Sequence, residues 1–232
     1  MNKTFLKAVF LKTLPVMTGY LALGIGFGIL LESKGYGILW SLAMAVFIYA
    51  GSMQYVAINL ITGGASLITT ALTTLMVNAR HLFYGISMVD KYKNTGAKKP
   101  YLIFALTDET YSLVCGDDYP EGCDPHKYQL AVSLANHIYW ITGCAVGSLI
   151  GSAISFNTAG IDFCMTALFV TIFVEQWLST KEHIPALTGL LASLVCLLVF
   201  GADGFLIPAM VLISALLLIF RKFLERKVES NE

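Results

Sequence analysis

Polar residues are so sparse along this chain that the apolar runs between them define its elements. The runs fall at about 14–31, 38–62, 65–89, 101–115, 128–151, 161–178, 186–200 and 206–220, and residues 35–79 carry no charged side chain. A helix needs about 20 predominantly apolar residues to span a bilayer core. The uncharged stretch therefore predicts two membrane helices joined near ITGGAS, with Gly63 and Gly64 as the turn. The run at 101–115 is only 15 residues long and holds Thr107, Asp108 and Glu109 at its centre. It reads as re-entrant or half-helical, buried in protein. Within FIYAGSMQYVAIN the small residues Ala50, Gly51 and Ser52 fall mid-run, with Gln54 one turn on, a place to kink or unwind or simply a packing face. The pattern predicts an all-α, polytopic membrane helix bundle of about seven spans, six to eight, with one or more broken or re-entrant helices.

Composition agrees with this class. The chain is 56% hydrophobic and 13% charged, more apolar than a soluble core of this length can bury. Lys3, Lys7 and Lys12 precede the first run and resemble the start of a signal peptide. That run ends in ESKGYG without a small-x-small cleavage site and another apolar run follows, so an uncleaved first helix is expected, with NKTFLKAVFLK along the membrane surface. Basic residues bias loops toward the cytoplasm. Here the tails (Lys3, Lys7, Lys12, Arg221, Lys222, Arg226, Lys227) and the loop DKYKNTGAKKP compete, and no count of straight crossings places all three inside. The conflict predicts that some segment near 65–115 does not cross simply.

The residues form a single integral membrane domain, 1–232, in which 14–115 and 128–220 are candidate repeat halves. AVFIYAGSMQ and ALFVTIFVEQ align at an offset of 122, matching Ala45, Phe47 and Gln54 with Ala167, Phe169 and Gln176. GIGFG at 24–28 and GCAVGSLIG at 143–151 precede them and are small-xxx-small faces that let helices approach closely. Cys115, Cys123, Cys144, Cys164 and Cys196 show no zinc spacing. Cys115 and Cys123 bracket an acidic loop that reads as solvated or, alternatively, as a disulfide or metal site. No cofactor, metal site or nucleic-acid partner is expected.

Chemistry concentrates in TTLMVNARHLFYGISM. On a helix Asn78 and His81 share one face with Thr70, Thr74 and Gly85, and Arg80 shares another with Thr73, Tyr84 and Ser87. A lipid-facing arginine at mid-bilayer costs at least ~2.5 kcal/mol. Arg80 therefore either snorkels to the boundary or turns inward to an acid, with Asp108 and Glu109 the nearest in sequence. His137, beside Asn136 in SLANHIYW, bonds a neighbouring carbonyl or serves function. Glu175, three residues from the end of its run, reaches the interface or is buried and titratable.

FIYAGSMQY, NARHLFYGISM, LTDETYSL and LFVTIFVEQW, in this order, resemble the AzlC family, the larger subunit of bacterial branched-chain amino acid exporters. The likeness runs from about Leu14 to Phe220. The resemblance implies a secondary transporter in the bacterial cytoplasmic membrane that exports leucine, isoleucine, valine and similar side chains such as methionine. It also implies an ion gradient, protons fitting best, and a small AzlD-type membrane partner. Candidate substrate-binding or coupling residues are Gly51, Ser52, Gln54, Asn78, Arg80, His81, Thr107, Asp108, Glu109, Glu175 and Gln176, with His137 added on its polar setting alone. An amino acid zwitterion needs an Arg or free backbone N–H groups for its carboxylate and an acid or carbonyls for its ammonium, which these residue types supply. An intramembrane enzyme and a non-transporting assembly subunit are the other classes, and the chain has no GxSxG or HExxH.

Overall fold

The computed structural model describes residues 3–116, 119–120, 123–154, 162–179 and 183–229, and these are helical wherever they are regular. The helices are α1 (Lys3–Ser33), α2 (Ile38–Phe47), α3 (Gly51–Thr62), α4 (Leu67–Val77), α5 (Arg80–Met88), α6 (Lys99–Phe104), α7 (Asp108–Val114), α8 (Pro125–Ala153), α9 (Asp162–Ser179), α10 (Ile184–Gly204) and α11 (Leu206–Glu229). Two compact units divide the chain, Met1–Thr166 and Ala167–Glu232.

The first unit is built on α1 and α8, each long and apolar enough to cross a membrane. At 1.5 Å per residue, their 31 and 29 residues extend about 46 and 43 Å. They run parallel, because their contacts rise in step: Phe5 meets Tyr128, Thr13 Oγ1 lies 3.2 Å from Tyr139 Oη, and Gly24 faces Gly143. Glu32 Oε2 then accepts from Ser148 Oγ at 2.6 Å. The glycine faces expected to allow close approach pack against each other. A Cβ on Gly28 would lie 2.3 Å from the Cys144 carbonyl oxygen, and one on Gly147 would lie 2.2 Å from that of Ile25. The surface-lying N-terminal segment is corrected, since Lys3–Leu11 continues directly into α1 through Pro15.

Between these two helices the chain makes two half-length hairpins that point at each other. We call the end of α1 at Lys3 basal and its end at Ser33 apical. α2 descends from the apical end: Ser41 Oγ donates to the Cys144 carbonyl, and the Ala45 carbonyl reaches His137 Nε2 at 3.2 Å. The chain then reverses at Tyr49, held at φ 42°, and extended Ala50. α3 climbs back, with Gly51 against Trp140 and Tyr55 Oη donating to the Leu23 carbonyl at 2.7 Å. Residues 38–62 are therefore not one straight crossing, as the apolar run alone suggests. The expected turn holds: Gly63 caps α3 and Gly64 takes φ 63°.

From that turn α4 and α5 lead to the basal end, bent at Asn78 and Ala79, where the bonds tighten to i, i+3 (His81 N–H to Asn78 C=O, Leu82 N–H to Ala79 C=O). Met88 and Tyr92 join the basal core with Val9, Leu102, Val114 and Tyr128. α6 rises from there, Phe104 touching Tyr49 and His137, and α7 descends, with Lys91 Nζ bonding the Cys115 carbonyl. With six and seven residues, α6 and α7 extend only about 9 and 10 Å. The run at 101–115 is thus broken into two short helices that double back, the half-helical alternative its polar centre suggested.

Large apolar side chains face outward along these helices, among them Leu67 at 88% and Phe47 at 78% exposure, the surface of a lipid-embedded protein. In the second unit α10 packs on α11 and is kinked at Gly201, with φ 73°. The two segments aligned as a repeat differ in shape: 45–54 contains the break at Tyr49, whereas 167–176 lies within the continuous helix α9.

Candidate functional site

Three helix breaks meet midway along α1, and each break is written locally in the sequence. Thr107 caps α7 by accepting from the Thr110 N–H at 3.2 Å, and Asp108 and Glu109 occupy the first turn, where the positive end of the helix favours acids. Asn78 closes α4, and Arg80 opens α5. Gly51 opens α3, where an added Cβ would sit 3.1 Å from the Trp140 ring, so glycine is needed for packing rather than for dihedral freedom.

Arg80 ties the three breaks together. Its Nη1 pairs with Asp108 Oδ2 at 2.7 Å, and its Nη2 donates to Ser52 Oγ at 2.6 Å. The two charged side chains are 29% and 28% exposed, so the inward reading holds over snorkelling to the boundary. Three atoms of this group, Arg80 Nε, Asp108 Oδ1 and Asn78 Oδ1, are buried without a hydrogen-bond partner. One spare cationic donor thus sits beside spare acceptors, one of them on a carboxylate. That is the polar complement of a zwitterion.

Glu109, next along α7, takes a different partner. Tyr20 Oη, from α1, donates to Glu109 Oε2 at 2.7 Å and lies 2.6 Å from Thr107 Oγ1. Tyr20 also packs edge-on against Tyr49 and Trp140, so the α2–α3 tip, the middle of α1 and α8 share one aromatic layer. Gln54 is fully buried and accepts from Trp140 Nε1 at 2.8 Å, which leaves its own amide nitrogen without a partner. Asn136 Nδ2 donates to Thr110 Oγ1 at 3.1 Å.

The remaining candidates have structural partners. His137 Nε2 meets the Ala45 carbonyl while Nδ1 lies 3.0 Å from Tyr101 Oη, and its ring stacks on Tyr49 at 4.1 Å. The Tyr49 N–H turns to the Met44 carbonyl instead of that of Ala45, so His137 satisfies the acceptor freed by the break. This is the carbonyl-bonding histidine rather than a member of the Arg80 group. His81 Nδ1 lies 3.2 Å from the Asn78 carbonyl and stays local to its own bend. The side chains of Glu175 and Gln176 lie outside the described residues. Cys115 and Cys123 are free thiols, and no cluster of metal-ligating side chains occurs among the described residues. A groove of about 1040 Å³ between the basal halves of α1 and α8, lined by Phe5, Val9, Leu130 and Tyr139, contains none of the candidate residues.

Tyr20, Tyr49 and Trp140 were missed by the sequence reading because aromatics in apolar runs look like any other lipid-facing or core side chain. The capping pattern Thr107–Asp108–Glu109 inside an apolar run was the available signal for a helix starting at mid-depth.

The profile of the AzlC family, described as AzlC protein, matches residues 15–154, which takes in all three breaks and both hairpins. The chain belongs to the AzlC family. It is 46% identical over 220 residues to the "Branched-chain amino acid transport protein AzlC" of Bacillus subtilis, covering 95% of this chain and 87% of that relative. It is 45% identical over 224 residues to an "Uncharacterized membrane protein" of Helicobacter pylori, covering 95% and 98%. The "Inner membrane protein YgaZ" of Escherichia coli is 24% identical over 207 residues, 86% of this chain and 82% of that protein. No solved structure matches the chain. This AzlC-family fold has a helical, apolar framework, and relatives are named as membrane proteins.

Proposed function

We propose that this AzlC-family chain is a secondary transporter that exports branched-chain amino acids (leucine, isoleucine, valine and the similar methionine) across the bacterial cytoplasmic membrane. It acts as the large subunit beside a small AzlD-type membrane partner, driven by an ion gradient. The name of the Bacillus relative supports the substrate class. The observation that carries the mechanism is the trio of unpartnered buried atoms around the Arg80–Asp108 pair. A neutral ion pair that keeps a spare buried donor and a spare buried acceptor can receive a neutral zwitterion without leaving net charge in the membrane. Substrate carboxylate meets Arg80 and the first-turn amides at Gly51 and Ser52, its ammonium meets Asp108 and Asn78, and its side chain enters apolar surroundings.

The same reading gives a topology. With the basal end cytoplasmic, α1 crosses outward, α2–α3 dips in from outside, α4–α5 crosses inward, α6–α7 dips in from the cytoplasm and α8 crosses outward. Lys3, Lys7 and Lys12 and the loop lysines Lys91, Lys93, Lys98 and Lys99 then all lie on one side, which removes the conflict between the N-terminal tail and this loop. Two hairpins entering from opposite faces and meeting at the substrate pair are the expected geometry for access alternating between them.

The test is movement of radiolabelled leucine in vesicles, with the chain alone and together with the membrane protein encoded beside it. A carrier moves leucine unchanged, whereas an intramembrane enzyme alters it. An assembly subunit does neither under either condition, and that result would remove the transport reading.

A further inference from the structure

Two carboxylates stand side by side at the start of α7, and the structure treats them oppositely. Asp108 is engaged by a guanidinium at 2.7 Å. Glu109 pairs with no cation among the described residues and is held by the phenol of Tyr20 at 2.7 Å. Tyr20 is 5% exposed, enclosed by Tyr49 and Trp140, and its oxygen lies 2.6 Å from Thr107 Oγ1. A carboxylate fixed by a guanidinium is stabilised in its charged form, because protonation would strand the cation. One held by a neutral hydroxyl and a helix N-terminus also has its charge favoured by both, but its protonation strands no cation.

The groups facing Glu109 set this balance. From α1 comes Tyr20, and from the α2–α3 tip comes Tyr49. From α7 itself come the like-charged Asp108 and the hydroxyl of Thr107. Arg80 and Tyr84 on α5 face Asp108, and α8 offers the neutral Asn136 through Thr110 and His137 through Tyr49. The one cation among them is already spent on Asp108 and Ser52.

We propose that Glu109 is the proton-carrying carboxylate of the transport cycle and that Tyr20 is the positioning residue that holds it at the meeting point of the two hairpins. This rests on the transport reading and divides its labour: Arg80–Asp108 receives the amino acid, and Glu109 carries the proton. Glu109 takes one proton from water on the outer side and releases it to water on the cytoplasmic side as one amino acid moves outward. Because both exchange within one turn of α7, a change in Glu109's charge is felt at the Asp108 pair next to it.

The experiment uses the full chain, with its neighbour-encoded partner if transport requires it, in proteoliposomes with radiolabelled leucine. Two rates are measured: export driven by an imposed pH gradient, and leucine–leucine exchange with none. Glu109→Gln is expected to lose the gradient-driven acceleration, falling to the zero-gradient rate, while exchange continues and no longer varies with pH. Tyr20→Phe removes a donor that favours the charged carboxylate, so the midpoint of the pH profile is expected to move to higher pH, with exchange retained. Glu109→Asp is expected to restore part of the gradient response.

Glu109→Gln with the wild-type gradient response overturns the proposal, as does equal loss of both rates in a correctly inserted Glu109→Gln. If Glu109→Gln does not accumulate in the membrane, Tyr20→Phe decides, and an unshifted pH profile overturns the assignment. A wild-type chain that neither exports nor exchanges leucine fails the transport reading first and this proposal with it. Exchange without any gradient response in the wild type fails only the proton assignment.

Discussion

Arg80→Ala tests the centre of the site most directly. The substitution removes both partners supplied by Arg80 and leaves Asp108 with two unsatisfied oxygens, since Oδ1 already lacks a partner. Breaking one side of a fully buried pair costs ~3–5 kcal/mol, mostly for the stranded charge. The side chains are 29% and 28% exposed, so water recovers a part, and about 2–3 kcal/mol of lost stability is expected. Asp108→Ala should cost about as much, by stranding the guanidinium. The double variant strands nothing and should lose only about 1–2 kcal/mol, a coupling well beyond the ~0.5 kcal/mol error of additivity. Unfolding in mixed micelles at rising SDS fraction, followed by tryptophan fluorescence, measures all three. Leucine transport should be absent from every one of them, including the more stable double variant. Additive losses in the cycle would refute the pairing, and a double variant that transports at the wild-type rate would remove Arg80 and Asp108 from substrate binding.

Gly147→Ala places a Cβ 2.2 Å from the Ile25 carbonyl oxygen and should cost at least ~1–3 kcal/mol, whereas Gly19→Ala, with no atom within 4 Å, should be near neutral in the same unfolding assay. His137→Phe keeps an aromatic ring against Tyr49 but leaves the Ala45 carbonyl unpaired, so it should cost about 1–3 kcal/mol while leaving the pH dependence of transport unchanged; a changed pH profile would restore His137 to the mechanism. In a chain freed of its native cysteines, Ala65→Cys should react with an impermeant thiol reagent from outside and Lys93→Cys from the cytoplasm. Labelling of position 65 from the cytoplasm and 93 from outside would mean that residues 38–62 cross the membrane.

Much of the site was legible because polar residues in an apolar chain are costly and so stand out. Asn78, Arg80 and Asp108 could be found by that cost alone, and the inward turn of Arg80 followed from it. The break at Ala50–Ser52 was legible in its small residues, although the backbone reversal itself falls on Tyr49, which no propensity rule would choose. What hydropathy does not encode is direction. An apolar run reports that its residues sit at membrane depth, and it reads the same whether the chain continues through or doubles back. The lysine distribution did carry that information, as a conflict that only a non-crossing segment resolves. The charge pattern alone assigns that segment to 65–115, whereas in the proposed topology the reversal that brings the N-terminal tail and the loop to one side is the one in 38–62, between Lys12 and Lys91. The partition between Asp108 and Glu109 was not legible either, since it depends on Tyr20, 89 residues from Glu109 along the chain.

The parallel seam between α1 and α8 also dictates an order of assembly. Neither hairpin limb is long enough to cross the hydrocarbon core by itself, since α2, α3, α6 and α7 extend only about 15, 18, 9 and 10 Å against about 30 Å. Their frayed ends, Tyr49 and Ala50 on one side and Ala105 to Thr107 on the other, expose backbone groups that lipid does not satisfy. At the first break the freed Ala45 carbonyl is met by His137 of α8, and the second hairpin is braced by Asn136 of α8 through the Thr110 hydroxyl, and α8 leaves the ribosome last of the five. Until Asn136 and His137 have been made, the two hairpins lack these α8 partners. The seating of both hairpins is therefore coupled to the closing of the glycine faces of α1 and α8, the last helix of the group to be made.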